Sequence, residues 1–144
     1  SCLKRALYLN PFEWIISYNL GLVHLCTKQY ASAFQYMTAS INVKDDFAAS
    51  YMYLGVILAK MNDFENACSA YGRAIEIDSD HLFHINYAIT LYNNGDLEAA
   101  EENFGIGLEL FNALDEDSKK SDPEVSKKIE VLQRVLGVDT REKN

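Results

Sequence analysis

The chain has 144 residues, two prolines and seven glycines, with 49% apolar and 24% charged side chains. That length buries one sizeable core, and the composition excludes wholesale disorder and favours helices over many short strands. A net charge of −8 and a pI near 4.8 disfavour nucleic acid and anionic membrane surfaces, which draw affinity from Lys and Arg, and no apolar run of about 18 residues is present to span a bilayer.

Residues 1–13 open with SCLKRALYLNPF, which has neither an initiator Met nor a signal-peptide apolar region and reads as part of a longer chain. Ala6, Leu7 and Pro11 stand 34 residues ahead of Ser40, Ile41 and Asp45, so this stretch matches the later half of the unit that follows. It is read as the second helix of a truncated hairpin. Three full units come next, at 14–47, 48–80 and 81–114. Leu20 meets Leu54, Ala33 meets Ala67 and Ile41 meets Ile75 at the same spacing of 34. The third copy is one residue shorter: Ala67 finds Ala100 and Tyr71 finds Phe104.

Each unit divides into two helices around a polar break, TKQ, MND or NNGD. The first helix repeats apolar residues at i, i+3, i+4 and i+7. Gly95 is expected to take a positive φ where the first helix of the third unit stops. Residues 115–122, including DEDSKKS, read as a charged linker. Asp122 and Pro123 then start a helix over 123–138 whose apolar stripe is Val125, Ile129, Leu132, Val135 and Leu136. Its expected role is to cap the last hairpin, with a docking helix for a partner as the alternative. Residues 139–144 are expected to fray.

Glycine inside a helix costs roughly 1 kcal/mol against alanine, so Gly21 and Gly55 call for close approach. Gly21 is expected to face Ala33, Gly55 to face Ala67, and Ala88 to face Ala100. The large residues Met37, Tyr71 and Phe104 then fill the gap to the next unit. Leu20 and Leu54 complete this packing set.

Chemistry-bearing constellations are sparse. Cys2, Cys26 and Cys68 are odd in number and widely spaced, so they read as small hydrophobes in a reducing compartment. His81 and His84 near Asp78 and Asp80 suggest a metal site less than a turn with N-cap residues. His24 reads as a hydrogen-bonded histidine packed inside its hairpin. Glu101 and Glu102 diverge on a helix and form no acid pair. The eight carboxylates of Asp96–Asp117, unaccompanied by Lys or Arg, read as a solvated face. No catalytic residue, cofactor or metal is expected.

The units resemble the tetratricopeptide repeat, a 34-residue helical hairpin with W-x2-L-G-x2-Y, A-x3-F and a later Ala and Pro. Leu20-Gly21 and Leu54-Gly55 match the L-G, with Tyr87-Ala88 in the third copy. Ala33/Met37, Ala67/Tyr71 and Ala100/Phe104 match the A-x3-F. The later small residue is Ala6, Ser40, Ala74 or Gly107, and the Pro survives as Pro11. The leading Trp position departs, holding Ser17, Tyr51 and His84. The resemblance implies an all-α helical-hairpin solenoid, a right-handed superhelix with a C-terminal capping helix. A narrower resemblance, carried by CLKRALYLNPFEW, YNLGLVHL, QYASAF and NYAITLYNNG, is to a repeat-built subunit family of the BBSome. It implies carriage of ciliary membrane proteins, and location in the cytoplasm, at the cilium and basal body, and at centrosomes or centriolar satellites. Partners would be other BBSome subunits and centriolar-satellite or motor-adaptor proteins.

In such a solenoid the first helices line a groove. Its expected members are Ile15, Tyr18, Asn19, Leu22 and Leu25 from the first unit, and Met52, Tyr53 and Val56 from the second. The third unit adds Leu82, Ile85, Asn86, Ile89 and Tyr92. Cys26, Ala49, Ala59, Lys60 and Asn93 face the same way. An amphipathic or extended protein segment fits this largely apolar surface, with Asn19 and Asn86 expected to clasp its backbone. The reading is a non-catalytic protein-binding scaffold. One alternative is the substrate-selecting region of a multidomain enzyme such as a protein glycosyltransferase. The other is a co-chaperone adaptor, disfavoured because Tyr18, Ala49, Tyr53 and Leu82 stand where a carboxylate clamp needs cations.

Overall fold

The computed structural model describes residues 12–137. Every regular element among them is an α-helix. Six helices form three antiparallel hairpins: α1 (Glu13–Cys26) with α2 (Tyr30–Val43), α3 (Ala48–Lys60) with α4 (Phe64–Ile77), and α5 (His81–Asn93) with α6 (Leu97–Asn112). A short α7 (Glu116–Lys120) lies within the stretch read as a linker, and α8 (Pro123–Leu136) closes the described chain. The expectations for residues 1–11 and from 138 onward fall outside the described residues.

One turn is used three times. Lys28, Asn62 and Gly95 take φ of 62°, 63° and 85°. The following N–H then reaches back five residues: Gln29 to His24 O at 2.8 Å, Asp63 to Leu58 O at 2.9 Å, and Asp96 to Leu91 O at 2.9 Å. A left-handed residue at this point satisfies carbonyls that the ending helix leaves open. Glycine does so freely, whereas Lys28 carries a Cβ there at a cost of roughly 1–2 kcal/mol. The next helix starts at once. Asp63 and Asp96 cap α4 and α6 by accepting from the N–H of Asn66 and Ala99, each at 3.3 Å. Asp80 caps α5 through Leu82 N–H at 2.8 Å.

The helices of each hairpin meet along a seam of small residues. Ala33, Ala67 and Ala100 are fully buried. Gly55, however, meets Tyr71 first rather than Ala67, and Gly21 meets Met37 before the Ala33 backbone that the sequence suggested. A Cβ on Gly55 would lie 2.8–3.0 Å from the ring of Tyr71, and one on Gly21 would lie 3.0 Å from Met37 Cε, with Ala33 O farther at 3.5 Å. The reason is side-chain direction. A long helical side chain leans back over the turn N-terminal to its own Cα, so Tyr71 and Met37 cover the glycine opposite. Ala88, fully buried, packs in the same cluster as Phe104.

The same large residues reach the next hairpin. The hydroxyls of Tyr71 and Thr90 hydrogen-bond at 3.0 Å, and the Tyr71 ring stacks on Tyr87 at 5.1 Å between centroids. Between the first two hairpins, Trp14 and Tyr18 both pack on Phe47, at 5.0 and 5.3 Å. Leu20, expected in the packing set, is 38% exposed. Leu54 and Tyr87, at the matching positions, are half-buried.

Two glycine substitutions should move stability in opposite directions. Gly55→Ala forces a Cβ into the buried Tyr71 ring and is expected to cost about 1–3 kcal/mol by overpacking. Gly72 has nothing within 4 Å of the added Cβ, so Gly72→Ala should stabilise by about 1 kcal/mol through helix propensity alone. Urea titrations of both variants read the two signs. A stabilised Gly55→Ala would refute the tyrosine contact.

Candidate functional site

The first helices α1, α3 and α5 run side by side and present one face. Ile15, Tyr18, Leu22 and Leu25 of α1 are half-buried there, and Asn19 is exposed. Tyr53 and Val56 of α3 and Leu82, Ile89 and Tyr92 of α5 are also half-buried. Three expected groove residues are not on the surface. Met52 is 1% and Ile85 0% exposed, and Asn86 is 8% exposed. Met52 joins the core cluster that contains Phe83 and Tyr71. Ile85 lies beneath Val125, Ile129 and Leu132 of α8.

The last helix accounts for Ile85 and Asn86, whereas Met52 is buried among residues of α3, α4 and α5. Val125, Ile129 and Leu132 are buried against Ile85, Ala88 and Phe104, so α8 caps the third hairpin. Val135, predicted on that stripe, is 40% exposed, because the packed positions follow i, i+4, i+7 and Val135 falls off that line. Asp122 and Pro123 start the helix as expected, with Asp122 accepting from Glu124 N–H at 3.2 Å.

Seating α8 there brings its polar edge into the groove. Lys128 Nζ donates to Asn86 Oδ1 at 3.0 Å. The Asn86 amide nitrogen in turn donates to Met52 Sδ at 3.3 Å. Asn86 is therefore a buried link between α3, α5 and α8 rather than a free amide for a ligand backbone. Lys128 is the groove residue that the sequence did not disclose, since 42 residues separate it from Asn86.

Two cavities open on this face, and both are walled by Val56, Asn86 and Lys128. One of about 360 Å³ is bounded by Leu22, Leu25, Cys26, Tyr53 and Leu82, with Asp122 and Glu124 at its α8 side. The other, of about 540 Å³, is bounded by Ala59, Lys60, Asn62, Ile89 and Asn93. Cys26, read as a small hydrophobe on the groove face, is exposed at the first of these. Burial and then the neighbouring Tyr53 push the Tyr18 phenol up to about 12. Burial, followed by the charge of Asp122, raises Tyr53 as well. Both phenols stay neutral hydrogen-bonding groups at physiological pH.

The histidines are taken up by local contacts. His24 donates to Gln29 Oε1 at 2.8 Å and stacks on Tyr36, half-buried rather than in the core. His81 lies 3.4 Å from Asp80, and His84 is buried against Asn103 at 3.2 Å, so the two imidazoles address different partners. The acidic residues Glu98, Glu101, Glu102, Glu109 and Asp115–Asp117 are all exposed.

A family model described as tetratricopeptide repeat matches residues 48–81. The chain is 47% identical over 126 residues to the BBSome complex member BBS4 of Xenopus tropicalis, covering 87% of this chain and 24% of that protein. It is 50% identical over 101 residues to its counterpart in Mus musculus, covering 69% of this chain and 19% of that protein. It thus spans less than a third of the curated relatives it matches. Among solved structures, PcrH in complex with the chaperone binding region of PopD superposes with a TM-score of 0.74 at 19% identity, covering 95% of this chain and 98% of that one.

The cap makes its own prediction. Leu132→Ala should cost about 2–4 kcal/mol by leaving a cavity over Phe104. Val131→Ala, one residue away and exposed, should stay within about 0.5 kcal/mol. Thermal unfolding of the two variants checks it, and equal shifts would mean that α8 does not pack as described.

Proposed function

We propose that this chain, which belongs to the tetratricopeptide-repeat family, is a non-catalytic protein-binding scaffold and forms part of a BBSome subunit. The single observation that carries the scaffold reading is the groove. Leu22, Leu25, Tyr53 and Val56 line a cavity that opens between α1, α3 and α8. Half-buried apolar side chains around such an opening favour an incoming protein segment, because covering them removes apolar surface from water at about 25 cal/mol per Å². The similarity to BBS4 proteins supports the choice of complex.

In this reading the partners are proteins: other BBSome subunits first, and centriolar-satellite or motor-adaptor proteins besides. The task is ciliary membrane-protein traffic and ciliogenesis, with sites at the cilium, basal body and centriolar satellites. Tyr18, Ala49, Tyr53 and Leu82 occupy the positions where a co-chaperone clamp needs its cations, which supports scaffold over co-chaperone.

Purified BBSome subunits titrated against the chain test this. At least one should bind the wild type. Leu22→Gln with Val56→Thr keeps side-chain volume but removes apolar contact, and it should weaken that binding by at least about tenfold. Unchanged binding by a folded double variant would move the partner site elsewhere. Failure of every subunit to bind would overturn the BBSome assignment.

A further inference from the structure

The larger cavity of the groove has a feature that apolar contact alone does not explain. Two cations wall it, Lys60 from α3 and Lys128 from α8, in a chain whose net charge is −8. Among the described residues neither lies within ion-pair distance of a carboxylate, although three other cationic side chains do: Lys44, Arg73 and Lys119. The hydrogen bond recorded for Lys128 goes to a neutral amide, that of Asn86. Asn62 and Asn93 add two more amides to the same wall. Asp122 and Glu124 line the other cavity, which Lys128 also walls.

We infer that this cavity is a subsite for an acidic side chain on the bound segment. The inference rests on the groove reading above and deepens it. The occupant is a linear segment whose Asp or Glu sits between Lys60 and Lys128, with apolar residues on one side entering the neighbouring cavity at Leu22 and Leu25. Lys128 and Asn86 belong to both cavities, so the segment crosses them in mid-course. An internal carboxylate fits that course, whereas a chain terminus would end there. Two lysines at a half-enclosed anion site attract it by charge and by donated hydrogen bonds, while the amides supply further donors. The Lys128–Asn86 bond holds one ammonium in place before the ligand arrives, which lowers the ordering cost of binding. Because α8 brings Lys128, the cap also sets partner choice.

The test is selection of a displayed library of random linear peptides on the full chain, followed by fluorescence anisotropy with the peptides enriched. Those peptides should share an Asp or Glu next to apolar residues. Their binding should weaken with added salt, and by about tenfold when that acid is replaced by its amide. Lys60 is exposed, so Lys60→Glu leaves the fold intact and should lose a similar factor. Lys128→Gln keeps a donor for Asn86 and should lose less. If peptides bind through the groove, as judged by loss in Leu22→Gln/Val56→Thr, yet ignore Lys60→Glu and carry no acid, the subsite is wrong and the groove stands. If binding ignores both variants, or no peptide is enriched, the subsite and the groove fall together.

Discussion

The contact between the Tyr71 ring and the backbone of Gly55 sets the spacing on which the rest depends. The ring sits where any side chain on residue 55 would be, so α3 and α4 meet through that ring laid against the Gly55 backbone. Its far end then bonds Thr90 and stacks on Tyr87, which fixes the third hairpin against the second. One side chain thus sets both the width of a hairpin and the step to the next. Met37 plays the first part over Gly21. Interiors packed this tightly do not deform continuously, and so the step between hairpins fixes how far apart α1, α3 and α5 stand. That separation is the groove.

The groove is finished by an element outside the repeat. α8 uses its apolar edge to cover Ile85 and Phe104 and its polar edge to place Lys128, Asp122 and Glu124 beside the first helices. Capping and recognition therefore share one helix. A substitution on its buried edge would tilt the polar edge with it, so loss of stability and change of partner are coupled by geometry. The charge follows the same division. Carboxylates of α6 and α7 spread over exposed positions, while two lysines stand unpaired at the larger cavity.

The turns show how little local chemistry a repeat requires once packing is in place. Lys28, Asn62 and Gly95 hold one left-handed conformation with three different side chains. The closing bond to the residue five back is the same in each. Asp63 and Asp96 cap the helix that follows, whereas α2 starts at Gln29 without a side-chain cap. Burial of Ala33 and Met37 holds α2 regardless, as expected where tertiary packing outweighs propensity.

Periodicity alone determined the hairpins, because a spacing of 34, 34 and 33 with small residues in fixed places admits one kind of packing. Ala33, Ala67, Ala100 and Phe104 are buried where the repeat puts them. Asp122 and Pro123 start α8 because capping depends on a few adjacent atoms. What the sequence left open lay in the third dimension. The partner of Gly55 is the residue whose side chain bends back, not the one nearest by helix register. Ile85 and Met52 carry the pattern of a groove face but are buried, because what lies over a helix position is decided by other elements. Lys128 reaches Asn86 across 42 residues, a distance no local pattern encodes. Period and capping are local and survive in one dimension, whereas the direction of a long side chain and the seat of a final helix exist only once the backbones have closed.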